Sequence, residues 1–416
     1  MNSEQRVLII SKNVLSETNN NGKTILSFFS DLPTDSVCQL FFSDEKPAIA
    51  GYRYYKYSDK DQIRGILDKN KRGYSISPSP DDKPSRKEKK KEYGPLMRIL
   101  REILWLFPWR SDQLNEWLHD FMPTIVFFVG GNSCYTCRIS REIVKEFDCR
   151  YVVYITDDYL IKRKKDSLFG RILRAINRNC FLRSVKESDC FLTISDYMKE
   201  TYKNIFGIES IVAVNMPDPM YVEEYRLSDS SEGIRMVYAG SIYYGREDVL
   251  GEISNAVEAI SSSGLEVSFD IYTNITPSEE SLKNMVRGSH THYGGSLDKE
   301  QLIKTLNKAD VLVFVESFAE EQIEKTKYSL STKIPEYLSL KKPIFAVGPA
   351  DISSMRYISE TAMCSFGQEE ICSKLKQLLS SKQTMDYLAQ KGYQKYLNNH
   401  ASDTQRPKLL SAIFGE

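Results

Sequence analysis

The sequence predicts an α/β protein of two doubly wound domains, and three observations carry that. Short apolar runs of the length of buried strands alternate with amphipathic helical stretches along most of the chain. The alternation breaks once, at residues 216–233 (MPDPMYVEEYRLSDSSEG), and then restarts. With 416 residues, the chain is long enough for two to three domains of about 150 residues each.

The elements follow in order. Val7–Ser11 reads as a strand, an Asn/Gly loop follows, and GKTILSFFSDL reads as a helix from Gly22. Val37–Phe42 is a second strand. TIVFFVG at Thr124–Gly130 is apolar throughout rather than alternating, as in a parallel strand covered on both faces. SREIVKEF (helix), RYVVYIT (strand), the long basic helix Leu168–Lys186, DCFLTIS (strand), DYMKETYKNIF (helix) and SIVAVN (strand) complete the first domain. After the break come RMVYAGS, EVSFDIYT, HTHYGG, DVLVFVES and PIFAVGP as strands, with helices between them and a helical tail from about Thr384. The boundaries are drawn at 1–215, 216–395 and a last helix at 396–416.

Composition narrows the function. Hydrophobic residues are 41% and charged residues 27%, which excludes disorder. The 56 basic and 56 acidic residues cancel, so no general nucleic-acid partner is expected. The balance hides a split: residues 1–215 hold 35 Lys and Arg against 28 Asp and Glu, residues 216–416 hold 21 against 28. Several of the eight cysteines sit in apolar runs, as in a reducing compartment. No apolar run reaches the ~18 residues of a membrane span. The expected location is therefore cytoplasmic, with peripheral contact to the inner face of a membrane left open.

That opening comes from an insert at residues 75–110. A Lys- and Pro-rich stretch (SISPSPDDKPSRKEKKKEYG) precedes PLMRILREILWLFPW, where Leu96, Ile99, Leu100, Ile103, Leu104 and Phe107 repeat at helical spacing. With Trp105 and Trp109 nearby, it fits either an interfacial membrane element or a solvated loop before an ordinary core helix. The nine Lys and Arg between Lys162 and Lys186 add a second basic run.

The chemistry concentrates at Asp310–Pro349. A strand leads to Glu316, a polar loop follows, and Ser329, Ser331 and Thr332 enter a helix with Pro335 in its first turn, where proline is tolerated. First-turn amides, hydroxyls and Lys333 suit a diphosphate. Glu336, three residues on from Lys333, suits ribose hydroxyls. After the first strand of the second domain, AGSIYYGRED offers Gly240 and Gly245 for a tight turn and Arg246 as a second cation. Adjacent strands would bring Arg246 to the same phosphates as Lys333. In the first domain, Gly22 follows strand one, and Asp157 and Asp158 close YVVYIT, both at strand ends that face ligands in open sheets. For the aspartates, helix capping is the plainer alternative. TNNNGKT lacks the first P-loop glycine, since Glu17 stands there. Cys134-x2-Cys137 has no second pair, so no metal is expected.

AGSIYYGR, VES and YSLSTKIPEYLSLKKPIFAVGP, with NGKTILSFF and ISDYMKETYKNIFG, resemble GT-B glycosyltransferases of the retaining, bacterial surface-polysaccharide type (family 4-like, group 1). The resemblance implies two Rossmann-like domains facing a cleft, a nucleotide sugar such as a UDP- or GDP-sugar on the C-domain, and a glycan or lipid-linked acceptor on the N-domain. It also implies a last helix that returns to the N-domain, and no required metal or cofactor. Arg246 falls where the family has a diphosphate-binding Lys, and Glu336 at its ribose-binding Glu. Two positions depart: Tyr328 stands where the first Glu of the E-x7-E motif belongs, and Ser241 replaces an Arg. Glu316 then becomes the candidate for the donor sugar and Lys333 the second cation. The departures keep a non-catalytic, sugar-nucleotide-binding or partner subunit as the alternative, with a phosphorylase or epimerase as a third.

Overall fold

The computed structural model describes residues 5–17, 20–78, 94–164, 166–220 and 233–416. Most of the expected basic loop (79–93) and of the expected linker (221–232), with Thr18 and Asn19 of the first glycine loop, lie outside the described residues.

The chain divides into two compact units. The first comprises residues 1–215 together with Arg406–Glu416, and the second Met216–Gln405. In chain order, the first unit runs β1 (Val7–Ser11), α1 (Asn20–Phe29), β2 (Val37–Phe41), β3 (Arg53–Lys56), α2 (Asp59–Leu67), β4 (Tyr74–Ile76), α3 (Pro95–Leu104) and α4 (Asp112–Phe121). It continues as β5 (Ile125–Val129), α5 (Cys134–Phe147), β6 (Arg150–Ile155), α6 (Leu168–Lys186), β7 (Cys190–Thr193), α7 (Asp196–Phe206) and β8 (Ile211–Val212). The eight strands order as β4-β3-β2-β1-β5-β6-β7-β8. All pairs are parallel except β3 with β4.

β1 and β5 are buried at every residue, which is why their sequences are uniformly apolar. The sequence reading missed β3, β4, α2 and α4. RYYK has only two inward residues, too few to show a period. The expected strand SIVAVN reduces to the two residues of β8.

The second unit runs β9 (Ile234–Ala239), α8 (Arg246–Ser262), β10 (Val267–Tyr272), α9 (Glu279–Met285), β11 (Thr291–Gly295), α10 (Lys299–Asn307) and β12 (Val311–Val315). Next come α11 (Glu320–Thr326), α12 (Lys333–Ser339), β13 (Ile344–Val347), α13 (Ser353–Ile358), β14 (Met363–Ser365), α14 (Ile371–Leu379) and α15 (Lys382–Asn399). Its sheet, β11-β10-β9-β12-β13-β14, is parallel throughout. The order reverses between β9 and β12, so the connections leave those two strands in opposite directions and open a crevice at their carboxyl ends. Met236, Tyr238, Val311, Val313, Phe345 and Val347 pack the core beneath it. α11 is helical where the sequence suggested only a polar loop.

The last helix, α16 (Ser402–Phe414), belongs to the first unit from Arg406 onward, later than the expected boundary at 396. Arg406 donates to the Ser27 carbonyl at 2.8 Å and pairs with Asp31. Arg150 donates to the Ile413 carbonyl at 2.8 Å.

Candidate functional site

In the second unit the site is built at the β9/β12 crevice. β9 ends at Ala239 and the chain turns through Gly240–Gly245. Gly245 takes a left-handed conformation at φ 73°, a region that favours glycine, and caps α8. Arg246 is thereby the first residue of α8, and its side chain turns back onto the sheet instead of into solvent. It donates to the Val315 carbonyl at 3.2 Å and to the Glu316 carboxylate at 2.7 Å. The Glu316 side chain is buried, 6% exposed, and that of Arg246 is largely covered at 16%. Burial works against the Arg246 charge, but Glu316 outweighs it and holds the guanidinium protonated more firmly than usual.

Lys333 begins α12, and its ammonium lies 4.7 Å from the centre of the Tyr238 ring, within cation–π range. A Cβ at Gly240 would fall 1.4 Å from the Lys333 Nζ, so only glycine leaves the ammonium its place. Burial first, and then the nearby Arg246 charge, pull the Lys333 pKa down to about 7, while Glu316 and Glu336 oppose this. Two partly buried cations that repel one another make a site that a polyanion stabilises. Glu336 is buried on α12, close enough to act on Lys333.

Not every expected donor is open. The Ser331 amide already donates to the Ser354 Oγ at 3.1 Å, and the Ile334 amide to the Ser331 carbonyl at 3.1 Å. The Thr332 side chain makes no capping bond to α12. Of the departures from the family pattern, Tyr328 has the Lys327 ammonium 5.9 Å from its ring. The Ser241 Oγ accepts from the Tyr243 amide at 3.3 Å, and its carbonyl accepts from the Tyr238 hydroxyl at 2.6 Å. Tyr238 and Gly348 were missed by the sequence reading. The only signal for Tyr238 was an aromatic residue two positions before the strand-ending glycine. A Cβ at Gly348 would lie 2.9 Å from the Cβ of Glu316.

The first-unit candidates separate. Gly22 lies in α1, and a Cβ there would meet the Val14 carbonyl at 2.5 Å, so the glycine serves close packing. Asp158 is 4% exposed and accepts from the Leu160 amide at 3.1 Å, the Ile161 amide at 3.2 Å and the Tyr202 hydroxyl at 2.8 Å. Burial raises its carboxyl pKa, and these donors limit the rise. Asp157, half-buried beside it, accepts from the Tyr159 hydroxyl at 3.3 Å.

Comparison with known proteins settles the architecture. The chain resembles a trehalose-6-phosphate structure from E. coli bound with UDP-2-fluoro glucose, with TM-score 0.61 and 8% identity, over 98% of this chain and 99% of that one. The fold is GT-B. It also resembles TarM (TM-score 0.62, 10% identity, 99% of each chain). A third likeness is to a UDP-N-acetylglucosamine 2-epimerase from Listeria monocytogenes (TM-score 0.54, 11% identity, 98% of this chain and 96% of that one). Identities this low speak to the fold alone. No family model matches the sequence. A 92-residue stretch is 37% identical to the protein translocase subunit SecA of Wolbachia pipientis wMel, covering 21% of this chain but only 10% of that protein. So short a share shows no family.

Proposed function

We propose that the chain is a glycosyltransferase that moves a sugar from a nucleotide-diphosphate donor, with the donor bound in the second unit. The observation that supports it is the partly buried pair of cations, Arg246 and Lys333, at the β9/β12 switch point with Glu336 one turn further along α12. As the glycosidic bond to the donor breaks, negative charge grows on the diphosphate. The Arg246 guanidinium, already in place, and the Lys333 side chain, which a bound diphosphate holds protonated, stabilise that charge. Glu316 orients Arg246 and borders the donor sugar. Gly240 leaves room for the Lys333 ammonium, Ser331 and Thr332 supply hydroxyls, and Glu336 accepts from the ribose.

The finer reading is a retaining hexosyltransferase of surface-polysaccharide synthesis, with a glycan or lipid-linked glycan acceptor, Asp157 on the acceptor side, and no metal. Asp158 and Gly22 serve the shape of that side rather than direct contact. The protein would act in the cytoplasm.

The test incubates the protein with a panel of UDP- and GDP-sugars and follows free nucleotide. Release that depends on added acceptor supports the transferase. Tight binding without release points to a non-catalytic subunit, favoured by Tyr328 and Ser241. Conversion of the donor sugar without acceptor points to an epimerase, and release driven by phosphate to a phosphorylase. Arg246→Ala and Lys333→Ala should each lower turnover about 100-fold; turnover within a few fold of wild type rejects the assignment.

A further inference from the structure

α3 is an amphipathic helix mounted with its polar face inward. Arg98, Arg101, Glu102 and Trp105, one stripe of the helix, hold it to the first unit. Arg98 donates to the Asn132 side chain, and Arg101 pairs with Asp59 at 2.9 Å. The Glu102 carboxylate accepts the first amides of α5, Cys134 at 3.0 Å and Tyr135 at 3.2 Å. The Trp105 indole donates to Asp59 at 2.7 Å and stacks on Tyr135 at 4.2 Å. Trp105 and Trp109 are buried anchors rather than side chains at an interface, and the helix is not an ordinary core helix: of its apolar stripe, Leu96, Leu100, Ile103 and Phe107 are exposed and Ile99 and Leu104 half-buried.

That stripe faces out. Leu96, Met97, Leu100, Ile103, Leu106 and Phe107 are each between 47% and 72% exposed, and no residue of α3 is fully buried. α6 packs against α3 and extends the same property, with Leu168, Phe169, Ile172 and Ile176 each between 48% and 69% exposed. Apolar side chains concentrated on two adjoining helices are the mark of an interaction surface, unlike the scattered leucines of an ordinary exterior.

Charge selects the occupant. The carboxylates on and beside these helices are engaged: Glu102 by the α5 amides, Asp59 by Arg101 and the Trp105 indole, and Asp166 by Arg174 at 2.7 Å. Lys162, Lys164 and Arg171 beside the patch are exposed. α6 carries five Arg and Lys and no acid. Apolar side chains rimmed by cations match a bilayer surface with anionic headgroups, which satisfies both. A second copy of the same surface would bring like charges together. Among the described residues no helix is long and apolar enough to cross a membrane, so the mode is to lie on it.

We propose that α3 and the first half of α6 form a membrane-docking face that seats the first unit on anionic lipid. The two helices rest in the headgroup layer with Leu100, Ile103, Phe169 and Ile172 reaching toward the acyl chains. This does not depend on the glycosyl-transfer reading, since it uses no residue of the second unit.

The test is flotation of the full chain with vesicles of phosphatidylcholine and phosphatidylglycerol. Wild type should float with the mixed vesicles at low salt, and less with phosphatidylcholine alone or at high salt. Leu100→Asp combined with Phe169→Asp should cut the bound fraction about tenfold or more, with circular dichroism and melting unchanged because both side chains are exposed. A separate Leu100→Trp variant should shift its emission to shorter wavelength when vesicles are added. No flotation of wild type at low salt, equal flotation of the aspartate variant, or flotation without the emission shift would each overturn the proposal. So would a wild-type dimer that the aspartates convert to monomer without any vesicle binding, which would assign the face to a second copy.

Discussion

The Arg246 guanidinium meets the Glu316 carboxylate at 2.7 Å where β9 and β12 part, joining the first residue of α8 to the end of β12. Residues 70 positions apart in sequence share one buried charge pair. Removing one member leaves the other buried and alone. Glu316→Leu or Arg246→Met alone should therefore cost about 3–5 kcal/mol, and the two together less than either single change. Denaturant melts of the four proteins decide it: additive losses would mean the pair is not coupled.

Gly240 carries a different expectation. An added methyl collides with the far end of a flexible side chain, so Gly240→Ala displaces the Lys333 ammonium and leaves the sheet intact. Losing one charge-assisted contact to the diphosphate should weaken nucleotide-sugar binding about tenfold or more, with melting little changed. Calorimetry and a melt on the same sample check both halves. Unaltered binding would remove Lys333 from the donor site.

Lys333 makes binding depend on pH. Its pKa is about 7 in the free protein, and a bound diphosphate, which stays ionised in this range, must raise it. Binding should then take up a proton above pH 7. Affinity should be flat below that pH and fall as pH rises, by up to about tenfold per unit, until the pKa of the bound form is passed. Lys333→Met should bind weakly at every pH and take up none. In the unliganded protein the sign reverses. The unfolded chain holds this proton up to its ordinary value of 10.5 while the folded chain releases it near 7, so stability should rise with pH between the two. Titration in buffers of different ionisation heat, with melts across the same range, gives the readout.

Asp157 and Asp158 should behave as opposites. Asp158→Ala leaves a buried and a partly buried amide and a buried tyrosine hydroxyl without their acceptor, at a cost of about 1–3 kcal/mol. Asp157→Asn should leave the melting point alone and raise the KM for acceptor. Equal destabilisation by both would make the pair a purely structural corner.

Local pattern was enough for much of this protein. The continuous apolar runs of β1, β5 and β12 announce strands covered on both faces, because a parallel strand has no wet side on which to place polar residues. The alternation of strand and helix with one break states the two sheets, and Arg246, Glu316 and Lys333 are visible as polar residues at strand and helix ends. Short pieces with few inward side chains, such as β3, β4 and α11, carry too little period to be read.

Tertiary structure decided what contacts across long separations decide. Sequence placed Arg246 at the tip of a turn. Only the β9–β12 pairing shows that it turns inward and occupies Glu316, while Lys333 lies over Tyr238 and loses affinity for its proton. α3 is the sharper case. Its periodicity sets an apolar stripe and a polar stripe, but periodicity is symmetric between a helix that buries the first and one that buries the second. The choice was made by the partners that Arg98, Arg101 and Glu102 find in Asn132, Asp59 and the first turn of α5. Those ion pairs and capped amides are available only once the first unit has folded.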